Sequence, residues 1–296
     1  MRTIRLIPVL ACCCLLFSGL SRADCIKDER SSKTSGLLVS EFNLVGTQTL
    51  NSEEVSNITS EFIGSCFNDD SEEVEEWIRA AFQNRGYFMA AVKNVRIKAD
   101  DPLSVPKPVA IEADVTEGPR CKLGEIRFKG NHAFSTEKLL SVFPVKKGNV
   151  FERDKIARAF ESVIKLYVAE GYIDITFVPN TQIVGDRVAL DIDVDEGSQF
   201  RMGKLQIFAK AEQADKLRAA WEIPQGAIFD QSYLEKYVDS NQPLLPANFT
   251  REFVQVVQDC RESTVEVRLP IDQLDPRSQI TPKDIDCDPP GKGVHH

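Results

Sequence analysis

"EGPRCKLGEIRFKGN", residues Glu117 to Asn131, is answered further down the chain by "EGSQFRMGKLQIFAK", Glu196 to Lys210. Both open on Glu-Gly, carry a second glycine after a five-residue gap (Gly124, Gly203), and run on into alternating apolar and polar residues. The two copies stand 79 residues apart. Self-similarity at a long fixed period marks a repeated structural module, so the frame of the repeat comes before any local reading.

Further anchors fix that frame. Gly64-Ser65-Cys66-Phe67, Gly148-Asn149-Val150-Phe151 and Gly226-Ala227-Ile228-Phe229 share G-x-x-F at offsets of 84 and 78. Gly86-Tyr87 and Gly171-Tyr172 lie 85 apart, and Asn248-Phe249 stands at the matching place in the third copy. Asn is expected there in the left-handed conformation that glycine adopts freely, while Phe keeps the ring. The chain is a three-fold repeat.

Each copy opens with an alternating strand: Phe42 and Leu44, then Ile126 and Phe128, then Leu205 and Ile207. A short helix follows, started in the first copy by the capping box Asn51-x-x-Glu54. In the second helix of the middle copy, Ile156, Phe160, Val163, Ile164 and Tyr167 form one apolar face. Asp70-x-x-Glu73 starts the matching helix of the first copy, with Val74, Ile78, Ala81 and Phe82 on its face. The helix stops at Gly86 or Gly171, as a glycine past the last turn stops helices. Two strands close the repeat, the last alternating strictly: Val109, Ile111 and Val115; Val188, Leu190, Ile192 and Val194; Val265, Val267 and Leu269. One face of each sheet is buried and the other wet. Pro243 and Pro246 cut the second helix of the third copy short, because neither supplies a helical N–H. The expected fold class is α+β: three tandem β-α-α-β-β domains, each a three-stranded mixed sheet with two helices on one face. The domains run 35–118, 119–197 and, divergent, 198–272.

The flanks read differently. Residues 1–23 combine Arg2 and Arg5 with the apolar run Leu6 to Leu20 and end in Ser21-Arg22-Ala23, the pattern of a cleaved export signal. Residues 24–34 are an N-terminal segment. Residues 273–296, rich in Pro, Gly, Asp and Lys, show no periodicity and read as unstructured. Export places the mature chain in an oxidising compartment. Of eight cysteines, Cys25, Cys66, Cys121, Cys260 and Cys287 outlast the signal. That is an odd number, so at least one thiol stays free or pairs elsewhere. Five cysteines leave fifteen two-bridge patterns open. Cys260 with Cys287, pinning the tail to the last hairpin, is the pair we expect.

The formal charge of −9 argues against nucleic acid as a partner, since an acidic surface repels phosphates. Loss of the signal arginines takes it to −12. No catalytic constellation emerges: there is no G-x-S-x-G, P-loop or H-E-x-x-H. His132 sits at a strand-to-helix turn, and His295 and His296 lie with Cys287 in the tail. Asp191, Asp193 and Asp195 share the wet face of a strand and lack the looped oxygen cage that calcium needs. No enzyme, metal or cofactor is expected. Trp77 and Trp221 read as helix packing. Glu117-Gly118 and Glu196-Gly197 read as interdomain joints, the glycine turning the chain sharply from one domain into the next. With no Gly/Ser linker, neighbours should meet at restricted angles, as in a bent rod.

A β-α-α-β-β unit with G-x-x-F, Gly-Tyr and Glu-Gly at these places resembles the POTRA (polypeptide-transport-associated) domain. "EIRFKGNHAFSTEKLL", "GNVFERDKIARAFESVIKLYVAEGY" and "VALDIDVDEG" of the middle copy carry the resemblance most clearly. It extends over residues 35 to 271. The resemblance implies a periplasmic scaffold that contacts unfolded outer-membrane polypeptides or an outer-membrane barrel assembly complex. The family's usual barrel strands are not found after Ile271. It also implies that the second strand of each domain is a sheet edge, open to an extended guest. Pro179 is expected at the end of that strand in the middle domain. The third domain offers Phe249 to Gln258 without proline, so Phe249, Phe253, Val254, Val256 and Val257 are the expected partner-binding residues. Grooves beside the helices are a second possible contact surface. The rival readings are a cell-envelope spacer that binds no client and, less favoured, an enzyme.

Overall fold

The computed structural model describes residues 37–67, 70–100 and 106–273. The export signal, Cys25, Cys287, His295 and His296 lie outside the described residues. Three sheets follow one another along the chain, each carrying its helices on one face.

The first repeat runs β1 (Leu37–Val45), α1 (Ser52–Ser60), β2 (Cys66–Phe67), α2 (Ser71–Gln83), β3 (Ala91–Ala99) and β4 (Lys107–Thr116). The second comprises β5 (Lys122–Lys129), α3 (Thr136–Ser141), α4 (Arg153–Ala169), β6 (Thr176–Val184) and β7 (Arg187–Asp195). In the third, β8 (Arg201–Ile207), α5 (Ala211–Ala219), α6 (Tyr233–Ser240), β9 (Gln255–Asp259) and β10 (Thr264–Leu269) repeat the order. The strand orders are β2-β1-β4-β3, β5-β7-β6 and β8-β10-β9. In the first and third sheets the first strand lies parallel to the last, and the hairpin partner antiparallel to it. Compactness divides the described chain into two bodies, 37–128 with 140–160 and 178–193, and 129–139 with 161–177 and 194–273. The division runs through the second repeat, whose elements belong partly to each.

The first sheet therefore has four strands where three were expected. The added strand is Cys66–Phe67 of G-x-x-F, paired antiparallel to Leu37 and Leu38. The same segment makes single bridges elsewhere, Lys122 with Val150 and Arg201 with Ile228. Backbone bonds repeat the arrangement. Gly64, Gly148 and Gly226 donate to the carbonyls of Val39, Leu123 and Met202 over 2.8, 2.8 and 2.7 Å. Positive φ at these glycines (87°, 90° and 84°) aims the N–H back at the strand. The motif is a turn that covers the start of the first strand's outer edge.

The cores follow the alternation. In the first repeat, Val74, Ile78, Ala81 and Phe82 of α2 pack on Val39 and Phe42 of β1 and Ile111 and Val115 of β4. Trp77 stacks on Phe62 at 6.0 Å and meets Phe67 edge-on at 5.8 Å. Pairs of this kind add about 0.5–1.5 kcal/mol each beyond burial. Both N-caps form, the first as the expected capping box and the second through a bond to the Glu72 N–H. Asn51 accepts from the Glu54 N–H, and Glu54 returns the bond to the Asn51 N–H. Asp70 accepts from the Glu72 N–H.

Two local readings are corrected. On α4, Ile156, Phe160, Val163 and Tyr167 are buried but Ile164 is 39% exposed, and Ala159 takes the inward place. The buried stripe runs 156, 159, 160, 163, 167, and residue 164 falls at its margin. Asn248 does not take the left-handed conformation, since Asn94 and Ser263 are the non-glycine residues with positive φ among the described residues. With α6 ended at Ser240 and a 3-10 turn over Gln242–Leu244 beyond it, no helix end remains at Asn248 to be turned. Phe249 keeps its ring fully buried nonetheless.

Candidate functional site: sheet edges and interdomain joints

The strand that follows the second helix of each repeat, β3, β6 and β9, stands at the outside of its sheet. The three edges differ chemically. In β3 the register slips between Lys93 and Arg96, with Asn94 at φ 49°, and Lys93 and Lys98 are exposed. A bulge and lysines are both devices that discourage another strand from pairing. In β6, Pro179 lies inside the strand and not at its end, which an outer strand tolerates because the missing N–H can face away from the ladder. β9 has neither device. Its register against β10 runs unbroken from Gln255 to Asp259.

Of the residues expected on this edge, Val256 and Val257 lie on β9. Val256 faces Val267 and packs against the third core, whereas Val257 faces Glu266. Phe249, Phe253 and Val254 do not belong to the strand. Phe249 is fully buried, Val254 is 5% exposed, and Phe253 ends a 3-10 turn over Arg251–Phe253. Their apolar character is spent on the core: the rings of Phe249 and Phe253 meet at a tilt with centroids 5.6 Å apart, and the Phe249 carbonyl accepts from Gln242 Nε2. Apolar residues in this stretch did not by themselves distinguish core from edge.

The joints turn on the echoed phrase, position by position. Glu117 is buried (4% exposed) and reaches into the loop after β1 of its own repeat. Its carboxylate accepts from the N–H groups of Gln48 (2.9 Å), Thr49 (2.8 Å) and Leu50 (3.3 Å) and from the Thr49 hydroxyl. Burial pushes this carboxyl up, but the Thr49 hydroxyl and the three N–H groups outweigh it and hold it below its usual range. Glu196 does the same after β5, accepting from the N–H groups of His132 (2.8 Å) and Ala133 (2.9 Å) and from the Tyr167 hydroxyl (2.9 Å). Desolvation and the Glu196 carboxylate raise the Tyr167 phenol well above its usual value. The Glu of each pair is thus a clamp within a repeat. Gly118 and Gly197 take positive φ, 70° and 63°, and turn the chain out of the last strand.

The residues after Glu-Gly make the joint itself, and sequence reading missed them. Helix α2 ends in two bonds, Tyr87 N–H to Phe82 carbonyl and Gly86 N–H to Gln83 carbonyl; α4 ends likewise with Tyr172 to Tyr167 and Gly171 to Val168. This is the Schellman arrangement, with the rings of Phe82 and Tyr87, and of Tyr167 and Tyr172, in edge contact. The next repeat docks on that glycine. Cys121 N–H donates to the Gly86 carbonyl (2.7 Å), and Phe200 N–H to that of Gly171 (2.8 Å). Arg120 Nε and Gln199 Nε2 donate to the preceding carbonyls, Arg85 at 3.0 Å and Glu170 at 2.9 Å. Val150 and Ile228, the third residues of G-x-x-F, lie against Gly86 and Gly171 so closely that a Cβ there would sit 2.4 and 3.1 Å from them. The shared offset of each pair within the repeat was the available signal.

The remaining candidates resolve simply. Asp191 accepts from Arg127 and Gln182, and Asp193 from Asn180. Among the described residues no group of three His, Cys, Asp or Glu could hold a metal ion. His132 is exposed. Cys66 and Cys260 are each disulfide-bonded, while Cys121 is a buried free thiol that desolvation pushes upward. No helix among the described residues is long and apolar enough to cross a membrane.

Comparison with known proteins accords with this geometry. Residues 121–197 match the POTRA family model, described as a surface antigen variable number repeat. A crystal structure of POTRA domains 3–5 of BamA from Haemophilus influenzae superimposes with a TM-score of 0.57 at 17% identity, covering 79% of this chain and 95% of that one. The second repeat is a POTRA domain, and the chain as a whole has the tandem POTRA fold. In sequence it is 29% identical over 120 residues to the outer membrane protein assembly factor BamA of Neisseria meningitidis serogroup B (strain ATCC BAA-335 / MC58), covering 36% of this chain. It is 25% identical over 234 residues, 69% of this chain, to a Treponema pallidum (strain Nichols) protein named by inference as an outer membrane protein assembly factor. The matches span only 15% and 27% of those two proteins.

Proposed function

We propose that this chain is a periplasmic scaffold in outer-membrane protein assembly, which takes extended polypeptide segments as an added strand on the edge of its third sheet. The guests are segments of unfolded outer-membrane polypeptides or of a barrel assembly complex. The observation that carries the proposal is the contrast among the three edges. β3 is guarded by a bulge and lysines and β6 by Pro179, while β9 presents an unguarded ladder. Main-chain hydrogen bonds supply the affinity in such strand addition, and the pockets beside alternate side chains supply the selectivity. The names of the two assembly-factor relatives support the setting.

The test is proline substitution at Val256 and at Val257, one at a time. Successive residues of an antiparallel strand alternate between bonding the neighbour and facing outward, so one of the two positions directs its N–H away from β10. Proline at that position is expected to leave the sheet folded and to remove binding of an extended client peptide. Amide exchange across Gln255–Asp259 of the unsubstituted protein reads the same contact directly. Client binding that survives both prolines, or leaves these amides unprotected, refutes the edge.

A further inference from the structure

β8 is the other outer strand of the third sheet. The G-x-x-F turn covers only its beginning, where Met202 donates to the Ala227 carbonyl (2.8 Å) and accepts from the Gly226 N–H (2.7 Å). From Gly203 onward the strand opens into a groove of about 410 Å³, walled on the far side by Trp221 and Ile223.

Three features suit this groove to a polypeptide. The pairing of β8 with β10 skips Gly203, because Met202 faces Val265 and Lys204 faces Glu266. A bulged residue is left out of its ladder and locally loosens the strand pairing on that side. Trp221 is held by an edge contact with Tyr237 at 4.9 Å and by its own Nε1–H, which donates to the Ile223 carbonyl at 2.7 Å. Its polar tip is satisfied, so it serves the groove as a rigid apolar wall. The charge is local and positive. Lys204 and Arg218 line the groove, and no carboxylate does. Arg218 pairs with Asp215 at 2.9 Å, but both side chains are more than half exposed, and exposed pairs hold their partners weakly. In a chain of net charge −9 this is a cationic slot beside an open strand.

We propose that the outer edge of β8 is a second docking edge, for an extended polypeptide segment in which a carboxylate is flanked by apolar residues. The guest's backbone pairs with Gly203 to Gln206, an apolar side chain rests on Trp221, and its carboxylate meets Lys204 and Arg218. This goes beyond the β9 proposal while resting on the same premise, that the chain takes extended guests.

The probes are an acetylated and amidated Thr-Val-Glu-Val-Thr peptide and its lysine counterpart, each added to the whole protein. Amide exchange is followed separately over β8 and β9. The glutamate peptide is expected to slow exchange at Gly203 to Gln206 at least tenfold, and the lysine peptide to leave it unchanged. Lys204→Glu with Arg218→Glu should abolish that protection without altering the unfolding transition. Protection confined to β9 overturns this proposal and leaves the β9 reading standing. Protection confined to β8 does the reverse, and no protection at either edge overturns both. Equal protection by the two peptides, or protection that persists in the double variant, overturns the assigned chemistry. Slow exchange at β8 without peptide, lost on truncation after Gln273, gives the groove to residues 274–296 and also overturns the proposal.

Discussion

Gly171 carries two constraints that can be separated by experiment. Its φ of 81° lies where a side chain is strained, which costs about 1–2 kcal/mol for a non-glycine residue. Alanine recovers about 0.4–1 kcal/mol by restricting the unfolded chain, so strain alone leaves a net loss of about 1 kcal/mol. The second constraint is the docked repeat. A Cβ on Gly171 would lie 2.6 Å from the Phe200 carbonyl oxygen, 3.1 Å from Ile228 Cγ2 and 3.4 Å from Gln199 Cγ. The first neighbour is backbone and cannot swing aside. Relief requires the head of the third repeat to shift, stretching the 2.8 Å bond from Phe200 N–H to the Gly171 carbonyl. Overpacking of this kind costs about 1–3 kcal/mol more. Gly148 is the internal control, with φ 90° and nothing within 4 Å of its missing Cβ. Gly171→Ala is therefore expected to lose about 2–4 kcal/mol and Gly148→Ala about 1 kcal/mol in urea unfolding. Exchange at the Phe200 amide should rise in the first variant alone. Equal losses in the two variants, or an unchanged Phe200 amide in Gly171→Ala, would refute the docking argument.

Three further outcomes are expected. Glu117→Gln should cost about 1–3 kcal/mol at neutral pH, since an amide cannot accept from three N–H groups as a carboxylate does. The folded-state carboxyl is held below its usual range, so its contribution is present above the unfolded-state pKa and fades as pH falls through the folded one. The gap between variant and parent should then narrow in acid, and a pH-independent gap in melting temperature would contradict the charge-assisted clamp. Cys121, fully buried with its thiol pushed upward, should resist alkylation in the folded protein and react on unfolding; rapid native labelling by mass spectrometry would oppose this. Non-reducing peptide mapping should recover Cys260 joined to Cys287, and Cys260 joined to any other cysteine would displace that assignment.

The order of elements was legible because it rests on properties that one sequence carries by itself. Alternation in Val188 to Val194, the stripe through Val74 and Ile78, and capping by Asn51 each have a local cause. Three anchors, recurring at offsets of 78 to 85 residues, then fixed the frame. What could not be read was local sequence whose meaning depends on a distant partner. "FTREFVQVV" has strand-like composition throughout, yet Phe249 and Val254 are drawn into the core because α6 is short and leaves volume to fill. Cys66 and Phe67 carry the G-x-x-F motif but no strand signal, because two residues show no period. The edge position of β9 came from the family resemblance. What sets β9 apart from β3 depends on a bulge that only the register reveals.

The third repeat shows what Glu-Gly is for by doing without it. In the first two repeats six residues separate the first strand from its helix, and their free N–H groups are what Glu117 and Glu196 bind. In the third, α5 begins at Ala211, three residues after β8, and Lys210 makes no side-chain cap. No loop of N–H groups remains for a carboxylate to gather. The chain after β10 instead reads Pro270-Ile271-Asp272, and Asp272 N–H donates to the Phe208 carbonyl at 2.9 Å, closing the same end of the sheet with backbone alone. The glutamate is therefore tied to the loop it clamps, and the docking of a following repeat is carried by the residues after it. Cys121 and Phe200 dock through a backbone N–H that any residue but proline supplies, which is why the joint survives with Arg-Cys in one copy and Gln-Phe in the other.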